Sequence, residues 1–131
     1  MEDSIFTKII KGEAPCHKIY EDESTIAFLN IYPRLPGHTL VIPKQQIEFV
    51  WDLPEDLYRI LMTHTRKIAL HIREKSDSKH MHMGVVGVDV PHAHIHLIPF
   101  DNSDDLSHDP DTSAEPDHAA LAEMAAKLRL P

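Results

Sequence analysis

The run Val90-Pro91-His92-Ala93-His94-Ile95-His96-Leu97-Ile98-Pro99 decides how this chain is read. Imidazole alternates with Ala, Ile and Leu at period two, so an extended strand from Val90 to Ile98 sends all three rings to one face and their apolar partners into the core. Same-face positions sit about 7 Å apart along a strand, close enough for one ring to act on a phosphate while its neighbours hold the flanking oxygens. A single histidine in a strand is ordinarily a partly buried, hydrogen-bonded residue. Three in register give up the apolar burial that a strand face normally supplies, which points to a ligand, a metal or a nucleophile.

Outward from this run, His80 to Val86 reads as a preceding strand and Gly87-Val88-Asp89 as the tight turn between the two. Before them lies the major helix. Pro54 stands at its start, Glu55 and Asp56 in its first turn, and Arg73 and Lys75 at its far end, as the helix dipole favours. Its stripe Leu57, Leu61, His64, Ile68, Ile72 makes His64 a core or interface residue rather than a ligand. Ile60, Met62, Ala69 and Leu70 lie outside that stripe and call for a second buried surface.

Further toward the N-terminus, Ser4 to Lys11 reads as a short helix ended by Gly12. Lys18-Ile19-Tyr20 and Thr25 to Leu29 flank the acidic turn Glu21 to Ser24 as a hairpin. A proline-broken loop, Ile31 to Gly37, leads to the β-rich run His38 to Ile42, closed by Pro43. On the C-terminal side, Asp101 to Asp117 reads as a solvated loop and Ala119 to Leu130 as a terminal helix. The fold class is α+β with a mostly antiparallel sheet.

With 131 residues, 42% of them hydrophobic, the chain has the size of one globular domain. The single cysteine, Cys16, forms no internal disulfide, and no apolar run reaches the length of a signal core or a membrane span, so a cytoplasmic setting and no membrane partner are expected. Cys16 has no nearby cationic cluster and is read as structural. The net charge of −8 is concentrated: residues 101–117 hold seven carboxylates and no Lys or Arg. The first hundred residues are close to neutral, with no basic stripe for nucleic acid but no bar to a small phosphate compound.

Four motifs in order, Ile5-Phe6-x-Lys8-Ile9-Ile10-x-Gly12-Glu13, Ala27 to Ile31, Gly37-His38-x-Leu40-Val41-Ile42-Pro43-Lys44 and Pro91-His92-x-His94-x-His96-x-x-Pro99, together resemble the histidine triad (HIT) superfamily over residues 4–100. The resemblance, to its bacterial HIT-like type, implies a five-stranded, mostly antiparallel sheet with one major helix and short terminal helices. It divides the chain into a HIT domain at 1–100 and an acidic C-terminal tail with a short helix at 101–131. It implies a nucleotide hydrolase or transferase that cleaves at an α-phosphate through a nucleotidyl-histidine. His94 matches the nucleophile, with His92 and His96 contacting the phosphate. Asn30 matches the ribose-binding position; Phe6, Ile9 and Ile31 match the apolar slot for the base, and Asp89 and Val90 border the nucleotide. A homodimer follows, joined through the partner's major helix and the strand at His80 to Val86, with the tail placed to cross toward the partner's site.

Two departures bear on this. Many bacterial relatives hold zinc through Cys-x-x-Cys, a histidine after the Pro-Lys pair and the first triad histidine; here the first three positions are Ser4, Thr7 and Gln46, poor zinc donors, so no metal and no cofactor are expected. The turn before the triad is also shorter than in relatives and lacks their Gln or Ser near the leaving group. The sequence therefore favours hydrolysis of nucleoside 5′-phosphoramidates or related AMP conjugates, with a purine nucleotide or its conjugate as ligand. Dinucleoside polyphosphate hydrolysis, a nucleotide-binding module with weak or no catalysis, and a metalloprotein using His-x-His are the competing readings.

Overall fold

Pro54 opens the longest helix of the computed structural model, which describes residues 2–131. This helix, α2 (Glu55–Lys75), keeps both acids in its first turn and Arg73 and Lys75 in its last. It follows α1 (Ile5–Ile10) and strands β1 (Lys18–Glu21), β2 (Thr25–Leu29) and β3 (Thr39–Pro43), and precedes β4 (His80–Gly84), β5 (Ile95–Phe100) and α3 (His118–Leu128). Short 3-10 turns occupy Val50–Asp52 and Ser103–Ser107. The five strands form one sheet in the order β1-β2-β3-β5-β4, every neighbouring pair antiparallel.

Alternation along the strands gives the sheet two different faces. Ala27, Leu29, Val41, Ile95 and Leu97 face the buried stripe of α2, where Leu61, Ile68 and Ile72 are fully buried. The fourth member of that stripe is Thr65 rather than His64, because the Thr65 hydroxyl donates to the Leu61 carbonyl at 2.7 Å and enters the core satisfied. His64 lies half-buried at the rim, 2.9 Å from Thr25 Oγ1. Leu121, Ala125 and Leu128 of α3 join the same core, so the terminal helix is packed into the domain.

On the opposite face, α1 lays Phe6 against Ile26, Phe28, Leu40 and Ile42, with Ile9, Ile10, Cys16 and Val90 around them. Ser4 caps α1 by accepting the Thr7 N–H. Burial pushes the Cys16 thiol above its ordinary range, which fits an unreactive packing residue. His96 and Ile98 of β5, and His82 of β4, lie on this second face beside the cluster.

The histidine run is not a continuous strand. Regular pairing begins only at Ile95, and residues 90–94 are irregular. Pro91 has no N–H to give a ladder, the Ala93 N–H donates instead to the Ile47 carbonyl at 2.7 Å, and the His92 carbonyl is taken by the ring of His94. Likewise β4 stops at Gly84 instead of Val86, and the expected tight turn is a longer loop, with Gly87 at φ +75°. The acidic segment is folded back on its own chain: Arg34 Nη1 donates to the carbonyls of Leu106 at 3.2 Å and His108 at 2.7 Å, and to Asp109 at 3.2 Å. The segment remains mostly exposed, as a solvated loop would be.

Candidate active site

His92 is fully buried beneath the site. Its Nε2 lies 2.8 Å from the Pro43 carbonyl, which can only accept, so Nε2 carries the proton. Burial lowers the pKa of the ring, so it is neutral and Nδ1 accepts from the Ser4 hydroxyl at 2.8 Å. Around this pair, the Thr7 hydroxyl and the Ser4 N–H both donate to Gln46 Oε1, at 2.5 and 2.9 Å. Ser4, Thr7, Gln46 and His92, the positions that the resemblance marks for zinc, lie together as a hydrogen-bonded cluster of two hydroxyls, an amide and an imidazole. Both nitrogens of His92 are engaged, and among the described residues no three His, Cys, Asp or Glu gather as a metal would require. The donor set does not fit zinc.

His94, 5% exposed, lies above. Its Nδ1 is 2.8 Å from the His92 carbonyl, so Nδ1 holds the proton and Nε2 keeps a free lone pair. The ring is held edge-on by Phe6 at 5.1 Å and by His96 at 5.0 Å between centroids. His96 is fixed by a residue to which the sequence reading gave no role. The Arg34 N–H donates to Nδ1 of His38 at 3.0 Å, which leaves the proton of a neutral His38 on Nε2, 2.9 Å from His96 Nδ1. Nδ1 of His96 thus accepts, and its Nε2 presents an N–H. Burial, then the neighbouring His96, depress His38 to about 3; burial, then His94, depress His96 to about 4. Both rings are neutral near pH 7, and the direction of each hydrogen bond follows.

A cavity of about 480 Å³ opens on the His96 side, lined by Asn30, Arg34, His38, His82, Asp89 and His96, with Leu106, Pro110 and Thr112 of the tail closing one wall. His94 opens instead into a smaller hollow of about 80 Å³ beside Phe49, Trp51 and Val85. Val86 borders both, so the loop after β4 stands between them. The residues expected to enclose a base are not all together. Phe6 and Ile9 sit in the apolar cluster with Val90 packed against it, whereas Ile31 lines a separate cleft beside Leu121 and Met124 of α3. Asn30 and Asp89 line the large cavity. Its Arg34, His38 and His82 were not anticipated; His38 stood in the quoted Gly37-His38 motif, but its contact with His96, 58 positions away, belongs to the tertiary fold.

The free lone pair of His94 and the N–H of His96 are groups that nucleophilic attack on an anionic centre would use, and the loop after β4 stands between the hollows into which the two rings open. A family model described as the HIT domain matches residues 11–103. The protein named Protein hit of Bacillus subtilis is 40% identical over 103 residues, spanning 75% of this chain and 71% of its own. An adenosine 5′-monophosphoramidase of Schizosaccharomyces pombe is 33% identical over 101 residues, 76% of each chain. The crystal structure of a HIT-like protein from Bartonella henselae superposes with a TM-score of 0.83 at 30% identity, covering 97% of this chain and 95% of that one. The chain belongs to the histidine triad family.

Proposed function

We propose that the protein hydrolyses nucleoside 5′-phosphoramidates or related AMP conjugates at the α-phosphate, through a nucleotidyl group carried on His94. The observation that carries this reading is the tautomer of His94: Nδ1 donates to the His92 carbonyl and Nε2 is left free to attack. His94 Nε2 bonds to phosphorus as the amine departs with the electron pair of its P–N bond. His96 Nε2–H steadies the charge on a phosphoryl oxygen, and buried His92 holds His94 in place through its carbonyl. Water then displaces His94 and releases the nucleoside monophosphate. The attack and the hydrolysis draw on imidazoles and water, and the departing amine takes up one proton as its P–N bond breaks.

Asn30 serves the ribose hydroxyls in this reading: its Oδ1 accepts the Tyr32 N–H at 2.9 Å, so its amide N–H groups are the ones turned to a ligand. Phe6 and Ile9, in the apolar cluster against which Val90 packs, are the contacts offered to the base, Ile31 lies apart in its own cleft, and Asp89 flanks the cavity. A second copy of the chain is the assembly partner. β4 is an edge strand that carries Met83 at 53% exposed, and Ile60 and Leu70 of α2 are exposed at 37 and 48%. No helix among the described residues is long and apolar enough to cross a membrane, and the lone cysteine supports a reducing, cytoplasmic setting.

Turnover on a panel of AMP-linked amines, diadenosine polyphosphates and adenosine phosphosulfate, each with and without chelator, tests the reading. AMP-linked amines should be preferred and chelator without effect. Preference for the diadenosine compounds would favour the polyphosphate hydrolase, and nucleotide binding without turnover the binding module.

A further inference from the structure

The proposed reaction leaves one requirement unassigned: a departing amine needs a proton, and Gly87, Val88 and Asp89 of the loop after β4 offer no cationic or hydroxyl side chain to supply it. We propose that His82, on β4 and outside the triad, is a catalytic residue that protonates the leaving group; this rests on the phosphoramidate reading above.

Three observations place it. In the β4–β5 register, Gly84 lies opposite His96 and His82 opposite Ile98, so His82 and His96 are diagonal neighbours on the same face of the sheet, a separation of about 7–8 Å that long or aromatic side chains bridge. The His82 ring leans along its own strand into the space where Gly84 has no side chain; a Cβ on Gly84 would stand 2.7 Å from His82 Nε2. The missing side chain therefore lets the ring lie across the position facing His96. His82 also lines the 480 Å³ cavity together with Asn30, His38 and His96, so a leaving group that enters this cavity from a phosphate held at His96 meets the His82 ring.

An imidazole can give and recover a proton near neutral pH. As the P–N bond breaks, its electron pair goes to nitrogen and the proton on His82 Nε2 follows, leaving neutral His82 and a nucleotidyl-His94. In the second step water attacks phosphorus, one water proton passes to His82, and the bond to His94 breaks. The nucleoside monophosphate departs and His82 is ready for the next cycle. Protons and electron pairs balance with no other reactant.

Leaving-group dependence tests this. The native protein, His82→Gln and Gly84→Ala are each assayed on an AMP alkylamide, whose leaving amine must be protonated, and on AMP p-nitrophenyl ester, whose leaving phenolate need not be. In His82→Gln the ratio of kcat/KM on the amide to that on the ester should fall about 100-fold, the lower range of general-acid catalysis. Gly84→Ala, which displaces the ring while keeping it, should lower the same ratio by a smaller factor. Because the ratio is taken within one protein, partial misfolding lowers both rates and leaves it unmoved. An unchanged ratio in His82→Gln overturns the assignment, as does a native protein that turns over the ester and not the amide. Native protein inactive on both compounds overturns the hydrolase reading itself.

Discussion

His38 Nε2 lies 2.9 Å from His96 Nδ1, and the backbone N–H of Arg34 decides which of the two donates. By occupying Nδ1 of His38, a main-chain group of the proline-broken loop sets the tautomer of a ring on β5 and turns an N–H of His96 toward the site. His38 is thus a positioning residue, acting on substrate only through His96. His38→Leu should lower kcat by about 10- to 100-fold, the range seen when outer partners of a functional imidazole are removed, with a much smaller change in KM. His38→Asn, which keeps a donor, should recover part of the loss. Steady-state kinetics on an AMP-linked amine checks both, and a rise in KM at constant kcat would show instead that His38 binds substrate.

Stability should fall as the medium is acidified through the histidine range. His38 and His96 are depressed to about 3 and about 4 in the fold, whereas the unfolded rings titrate near 6.5. Below about pH 6.5 the unfolded state binds protons that the folded state refuses, so stability is full above that value and declines toward pH 4. Each ring contributes up to about 1.4 kcal/mol per pH unit. Urea melts at pH 7, 6 and 5 measure the slope. His38→Gln, with one titrating ring fewer, should show a shallower one; identical slopes would contradict the burial argument.

The cluster of Ser4, Thr7 and Gln46 around His92 should stand without metal. Incubation with chelator is expected to leave the melting temperature and turnover unchanged. Ser4→Ala, which removes both the cap of α1 and the partner of His92 Nδ1, should cost about 1–2 kcal/mol. Differential scanning calorimetry reads both; a melting temperature lowered by chelator would reverse the conclusion.

The terminal helix should matter as much as any core element. Leu128 is fully buried in the main core with Leu121 and Ala125. Leu128→Ala should destabilise the protein by about 2–5 kcal/mol in denaturant melts, and a loss under 0.5 kcal/mol would mark α3 as an appendage.

Much of the fold was legible because turn and helical patterns report structure locally: β2 came from its apolar run after the acidic turn Glu21 to Ser24, and the main span of α2 from helical spacing, proline and charge placement. The same rule failed at the triad, where Pro91 and the capture of main-chain carbonyls by His92 and His94 outweigh alternation. It failed at Thr65 because a hydroxyl satisfied within its own helix buries like an apolar group. Ser4, Thr7, Gln46 and His92 were legible as a convergent set from family spacing. The roles of His38 and His82 were not, since each depends on a partner brought near by sheet register. The anchoring of the tail by Arg34 also joins residues more than seventy positions apart.

The covalent step on His94 is tested most directly by intact-protein mass spectrometry of a reaction quenched during turnover of an AMP-linked amine. Native protein should carry one added adenylyl group, mapped by fragmentation to His94, and His94→Asn should carry none while turning over several decades more slowly and binding AMP within about tenfold of native. Near-native turnover by His94→Asn, or an adenylyl group found on another residue, would contradict the assignment of His94 as nucleophile.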